Sequence, residues 1–226
     1  MFIEVITSNL KDSIEASNLN VDQIELITDL SNGGLTPDIA LIQNVCSSVS
    51  TPVNIMLRCH ANSFTYSEYD INLMLDDLEK IKKTKANGIV FGCLDKKSNI
   101  DEILLSKIIK NKGHLKLTFH RAIDQTRDYK ESIKTLLKYD IDTILTSGHK
   151  NTAINGVNNI IIAQNIVNRK IDILAGSGIN NNNVYDFIDK SKSTHIHLGT
   201  GARFDNKFEN NFNKEFISNL LNYTSI

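Results

Sequence analysis

The sequence predicts an α/β fold, a single-domain TIM-type (β/α)8 barrel spanning residues 1–226 and finished by a C-terminal closing helix. Three observations predict it. Short runs rich in Ile, Val, Leu and Phe recur roughly every 25 residues, the length of a strand–loop–helix–loop unit. Eight such runs alternate with segments of helical spacing, which favours a closed parallel barrel over an open sheet. No Pro-, Gly- or Ser-rich linker divides the 226 residues, a compact length for a barrel that typically takes about 250.

Taken in chain order, the strands are expected near Ile3–Ile6, Gln23–Ile27, Val53–Arg58, Gly88–Phe91, Leu115–His120, Thr143–Thr146, Ile171–Ala175 and His195–Leu198. Between them, Leu73, Met74, Leu75, Leu78 and Ile81 mark one helix. Ile133, Leu136 and Leu137 mark a second, and Ile160, Ile161, Ile166 and Val167 a third. Phe212, Phe216, Leu220 and Leu221 give the closing helix. Pro37 sits where a helix should begin and Pro52 just before the third strand. In the run Asn180–Asn183 an asparagine is expected as an N-cap.

Composition excludes several classes. A hydrophobic fraction of 41%, a charged fraction of 23% and a net charge of −1 describe an ordinary globular protein, with no basic footprint for nucleic acid or anionic membrane. Cys46, Cys59 and Cys93 are odd in number and far apart, which points to a reducing compartment rather than a disulfide framework. The start Met1-Phe2-Ile3-Glu4-Val5 has no basic segment before a long apolar run, and no stretch approaches a membrane span of ~20 residues. A cytoplasmic location is expected.

Alternation fixes which side chains face the barrel interior, because the bulky aliphatics belong against the helices. Ile3, Val5, Ile24, Leu26, Ile55, Leu57, Leu117, Phe119, Ile196 and Leu198 then face outward. Glu4, Gln23, Glu25, Met56, Arg58, Lys116, Thr118, His120, His195 and His197 face inward. Buried charge is costly unless paired or bound, and barrel chemistry sits at the C-terminal strand ends. Glu4, Glu25, Arg58, His120 and His197, with Arg121 and Asp124 just beyond, are therefore the catalytic candidates. The plain alternative is a Glu–Arg–His network that satisfies itself and merely closes the barrel. Lys116 is kept in view as a Schiff-base candidate, although packing explains it better.

Loops supply a second signal. Gly176-Ser177-Gly178 follows the seventh strand and Gly199-Thr200-Gly201-Ala202-Arg203 the eighth, where barrels often bind phosphate through backbone N–H groups. Thr146-Ser147-Gly148 after the sixth strand adds hydroxyls, so Thr146, Ser147, Gly148, Gly176, Ser177, Gly178, Gly199, Gly201 and Arg203 form a candidate anion site. Glycines that merely permit tight turns are the alternative. For metal, no Cys-x-x-Cys or His-Glu-x-x-His appears. His195-x-His197 puts two imidazoles on one strand face, and Cys59-His60 is a soft pair that co-ligates only if the chain turns there.

Several segments together resemble the CutC family of copper homeostasis proteins. They are Ile24-Glu25-Leu26, Gly33-Gly34-Leu35-Thr36-Pro37, Val90-Phe91-Gly92, Thr118-Phe119-His120-Arg121-Ala122-Ile123-Asp124 and Leu145-Thr146-Ser147-Gly148. The resemblance implies a cytoplasmic barrel, a homo-oligomer and copper(I) binding. Some members carry cysteines at the ends of the first two strands, where this chain has Ile6 and Ile27. The family's usual Arg-Pro-Arg-Gly-Gly-Asp-Phe reads Arg58-Cys59-His60-Ala61-Asn62-Ser63-Phe64. Its usual Gly-Gly-Gly reads Gly176-Ser177-Gly178, and the loop after the eighth strand is longer. Two functions follow as expectations. One is copper(I) handling through Cys59, Cys93 and His60; the other is an enzyme, of lyase, isomerase or hydrolase class, acting on a small anionic or phosphorylated metabolite. A non-catalytic scaffold leaves the polar barrel mouth unexplained.

Overall fold

The computed structural model describes residues 1–223. Strands β1 (Phe2–Thr7), β2 (Gln23–Leu26), β3 (Val53–Met56), β4 (Gly88–Phe91), β5 (Lys116–Phe119), β6 (Thr143–Thr146), β7 (Asp172–Ala175) and β8 (His195–Leu198) close into one parallel barrel in sequence order. Helices α1 (Leu10–Asn18), α2 (Ile39–Ser48), α3 (Glu68–Ile81), α4 (Glu102–Asn111), α5 (Tyr129–Leu136), α6 (Val157–Val167), α7 (Val184–Ser191) and α8 (Lys214–Leu221) follow the strands in turn. The predicted TIM-type (β/α)8 barrel is the fold. No helix among the described residues is long and apolar enough to cross a membrane.

Helix starts are written into the sequence. Asn9, Asp38, Asp101, Asp128 and Asn213 each accept a first-turn N–H at their side chain, and Ser67 with Asp70 forms a reciprocal capping box at α3. Asn183 does precede α7, yet its amide does not cap the helix. That side chain is spent on the preceding loop, accepting from the Asn180 N–H at 2.9 Å and donating to the Gly178 carbonyl at 2.9 Å. Phe212 also differs from expectation: it lies before α8 and bridges to Arg203.

The phasing holds on the elements that position the site. The ten outward aliphatics and aromatics named above all join one large core between barrel and helices. Inside the barrel, Ile6, Ile27, Met56 and Val90 form a separate small apolar cluster. Register then stacks the polar groups, with Glu4 opposite Gln23 on one side and His197 on the other. Two inward candidates leave the site because they sit at the opposite, N-terminal end. Lys116 begins β5 and is exposed. His195 begins β8, lies against the Phe2 ring with centroids 4.8 Å apart, and approaches Asp172 at 3.8 Å. Lys116 therefore lies away from the mouth, and the two histidines have different partners, His195 meeting Phe2 and Asp172 while His197 meets Glu4 and Glu25.

Candidate functional site

A cavity of about 850 Å³ opens at the C-terminal ends of the strands, and Glu25, Arg58, His120 and His197 line it together. Glu4 does not reach the wall. It lies one layer deeper, fully buried, accepting from Gln23 Nε2 at 2.5 Å and facing His197 Nδ1 at 2.6 Å. The other ring nitrogen of His197 lies 3.4 Å from Glu25 Oε2. β8, β1 and β2 thus present a buried carboxylate–imidazole–carboxylate chain whose outer member meets the cavity.

Electrostatics follow from that burial. Glu25 is pushed up to about 7 by desolvation, only partly opposed by His197 and reinforced by Glu4. Burial alone would depress His197, but Glu25 and the hydrogen bond to Glu4 outweigh it and hold the imidazole above its ordinary range. His120 goes the other way, down to about 3, through burial and then the nearby Arg58 charge. Its Nδ1 accepts the Ala122 N–H at 3.2 Å, so the neutral ring carries its proton on Nε2. Arg58 is held by the carbonyls of Asn32 (3.2 Å), Gly34 (3.3 Å) and Ala61 (3.3 Å) and lies 4.8 Å over the Phe64 ring.

Among the described residues three buried atoms of these wall residues make no hydrogen bond: Arg58 Nε, His120 Nε2 and Glu25 Oε2, the last with His197 Nε2 3.4 Å away. Orphans of this kind are costly and rare in interiors. The residues that carry them, at or just beyond the ends of β2, β3 and β5, line a space large enough for a small molecule.

Other candidates fall into two groups. Ser177, Gly178, Gly199 and Gly201 line the cavity, joined by Lys150, Asn151 and Thr200. Thr146, Ser147, Gly148, Gly176 and Arg203 do not. Thr146 Oγ1 donates to Asp124 Oδ1 at 2.6 Å, and Ser147 donates to Asp124 Oδ2 from its N–H (2.9 Å) and its hydroxyl (2.8 Å). Asp124 also accepts from His149 N–H at 2.9 Å and Arg121 Nε at 3.0 Å, so this carboxylate organises the loop after β6. Gly148 has φ +72°, and a Cβ there would stand 2.3 Å from the Gly156 carbonyl, so its freedom serves packing. Gly176 N–H continues the ladder to the Thr146 carbonyl at 3.0 Å. Arg203 donates to Asp12 Oδ2 (2.7 Å) and the Asn210 carbonyl (2.9 Å) between the rings of Phe208 and Phe212, tying the chain after β8 to α1. The loops after β7 and β8 thus bring Gly178, Gly199, Thr200 and Gly201 to the cavity, whereas the Thr146 and Ser147 hydroxyls and Arg203 are engaged elsewhere.

The thiols separate as well. The chain bends after β3, and Cys59, His60 and Asp70 gather with their donor atoms within 4.8 Å of one another. Cys93 is fully buried, donates to the Asp101 carbonyl at 3.4 Å and is not part of that group. Asp70 and Lys150 were not foreseen. Ser67-x-x-Asp70 reads locally as a cap, and Lys150 sits in an ordinary loop; its place two residues beyond Gly148 was the available signal.

Comparison with known proteins agrees with this architecture. A CutC family protein from Pasteurella multocida (strain Pm70) is 36% identical over 204 residues, covering 90% of this chain and 84% of that one. The human copper homeostasis protein cutC homolog is 32% identical over 210 residues, covering 92% of this chain and 77% of its own length. The crystal structure of CutC from Streptococcus agalactiae superposes with a TM-score of 0.83 at 24% identity, covering 88% of this chain and 98% of that one, which is a likeness of fold. The CutC family profile matches residues 1–202. The chain belongs to the CutC family.

Proposed function

We propose that the barrel mouth is an acid–base active site for a small anionic metabolite. The observation that carries this reading is the meeting of Glu25, Arg58 and His120 at one cavity, each with a buried polar atom that makes no hydrogen bond among the described residues, Glu25 Oε2 having only the 3.4 Å approach of His197 Nε2. In that arrangement the two N–H donors bind a carbonyl or carboxylate oxygen, and Glu25 takes or returns a proton beside it. A carboxyl group held near 7 suits proton transfer close to neutral pH. His197 and Glu4 position Glu25 and vary its charge environment. Arg58, Arg121 and Lys150 set three cationic side chains against the carboxylates of Glu25 and Asp124, and the glycine-bearing ends of β7 and β8 offer backbone N–H groups to an anionic tail.

Two measurements test it. Melting temperature against inorganic phosphate and small keto acids, at constant ionic strength, should rise by the equivalent of about 2.7 kcal/mol at a hundredfold excess over Kd. Arg58→Lys, which keeps the charge but removes the Nε–H, should lose most of that gain. Incubation of phosphorylated and carboxylated keto compounds in D2O should then show deuterium entering beside the carbonyl, and Glu25→Gln should abolish it. No melting response to any of these compounds, together with no exchange, would sink the reading.

The relatives' names bring copper homeostasis to this chain, so its residues must be tested against copper(I). Ile6 and Ile27 occupy the ends of β1 and β2 and pack with Val90 and Met56, leaving one thioether and no thiolate there. These donors do not fit a soft cation that needs thiolate. A copper(I) role rests instead on Cys59 and His60. We expect weak copper(I) affinity in competition with a chromophoric chelator, lost in Cys59→Ala and kept in Cys93→Ala. Tight binding that survives Cys59→Ala would move the copper site elsewhere.

A further inference from the structure

We propose that the turn after β3 is a site for a divalent cation of borderline softness, with zinc(II) as the fitting ion, held by Cys59 Sγ, a ring nitrogen of His60 and the Asp70 carboxylate. The site shares Cys59 and His60 with the copper(I) reading above but uses none of the acid–base residues of the barrel mouth, so it stands or falls independently of the acid–base reading.

Geometry comes first. The three donor groups lie within 4.8 Å of one another, on two elements: the turn that ends β3 and the first turn of α3. His60 Nε2 is 3.6 Å from Asp70 Oδ2, beyond hydrogen-bond reach. Its Nδ1 is buried with no partner. Among the described residues neither nitrogen of this ring has a hydrogen bond, although the imidazole is packed against Tyr66 with centroids 5.1 Å apart. The imidazole is thus held beside the thiol and the carboxylate, with Nε2 on the Asp70 side.

The surroundings are those of a ligand set. The side chains of His60 and Asp70 are each 21% exposed, so one side stays open to an entering ion and a water as fourth ligand. Asp70 Oδ2 accepts from the Ser67 N–H at 2.8 Å and hydroxyl at 2.6 Å, which pins the carboxylate as outer hydrogen bonds pin metal ligands generally. One thiolate, one imidazole and one carboxylate match zinc(II) better than copper(I), for which the carboxylate is a poor donor. The consequence reaches the mouth. The same turn presents the Ala61 carbonyl to Arg58 Nη2 at 3.3 Å, so an ion here would fix the segment that orients Arg58.

The test uses chelator-treated protein and cobalt(II) as the spectroscopic stand-in for zinc(II). Expected is one equivalent of cobalt(II) with a thiolate-to-cobalt charge-transfer band, displaced by zinc(II). The band should vanish in Cys59→Ser and persist in Cys93→Ala. Asp70→Asn, which keeps the side-chain shape at the helix start, and His60→Gln should each weaken zinc(II) binding by at least about tenfold. Circular dichroism of each variant without metal verifies its fold. A band that survives Cys59→Ser, zinc(II) binding unchanged in both Asp70→Asn and His60→Gln, or Cys59-dependent binding of copper(I) without cobalt(II) or zinc(II) would each overturn the proposal.

Discussion

Replacing Asp124 by alanine is expected to lower the unfolding free energy by about 3–5 kcal/mol, the range for removing one member of a buried charged network. The side chain of Asp124 is 5% exposed and accepts five donors: Arg121 Nε, Thr146 Oγ1, the N–H and hydroxyl of Ser147, and the His149 N–H. Truncation strands several of these in a partly buried setting, and each orphan costs about 1–3 kcal/mol where water does not reach it. For a chain of this size the melting temperature should fall on the order of 10 °C. Equilibrium denaturation of wild type beside Asp124→Ala measures it. A loss below about 1 kcal/mol would mean that water replaces the carboxylate, and that the loop after β6 does not depend on it.

The second large effect is a dependence on pH that Glu25→Gln should remove. Glu25 holds its proton more tightly in the folded chain, where it titrates at about 7, than at its ordinary value of 4.5. The folded state therefore carries the extra proton across that window and loses stability as pH rises through it. His197 is also raised, so its contribution is complete below its unfolded range and fades as pH climbs through the folded one. At about 1.4 kcal/mol per pH unit, Glu25 alone accounts for about 3 kcal/mol between its two values. Glutamine cannot ionise. The variant should match wild type near about pH 5 and exceed it near about pH 8 in denaturant titrations. Parallel curves for the two proteins would show that Glu25 is not held near neutrality.

The barrel was legible in the residues because its signal is local and repeated. Ile3 and Val5, Ile24 and Leu26, Leu117 and Phe119 each alternate with a polar neighbour, and that period of two decides which face a strand buries. The same rule turns Glu25, Arg58, His120 and His197 inward, and these four line one cavity. Helix starts at Asp38, Ser67 and Asp128 use equally local chemistry, a cap satisfied within three residues, although the cap expected from the sequence is in the run Asn180–Asn183, where Asn183 does not cap α7.

What depended on distance along the barrel axis, or on partners far off in sequence, only the tertiary structure decided. Alternation cannot tell the mouth from the floor, so Lys116 and His195 looked inward yet lie at the wrong end, and Glu4 lies beneath the cavity rather than in its wall. Nor can it say which donors are already taken. Thr146 and Ser147 are spent on Asp124, more than 20 residues away, and Arg203 on Asp12 across the barrel's closure. Cys59 and His60 acquire Asp70 through a bend and a helix start. A motif lists the groups a loop contains; packing alone determines which of them remain free to meet a ligand, because each buried hydrogen-bonding group takes a partner wherever the folded chain supplies one.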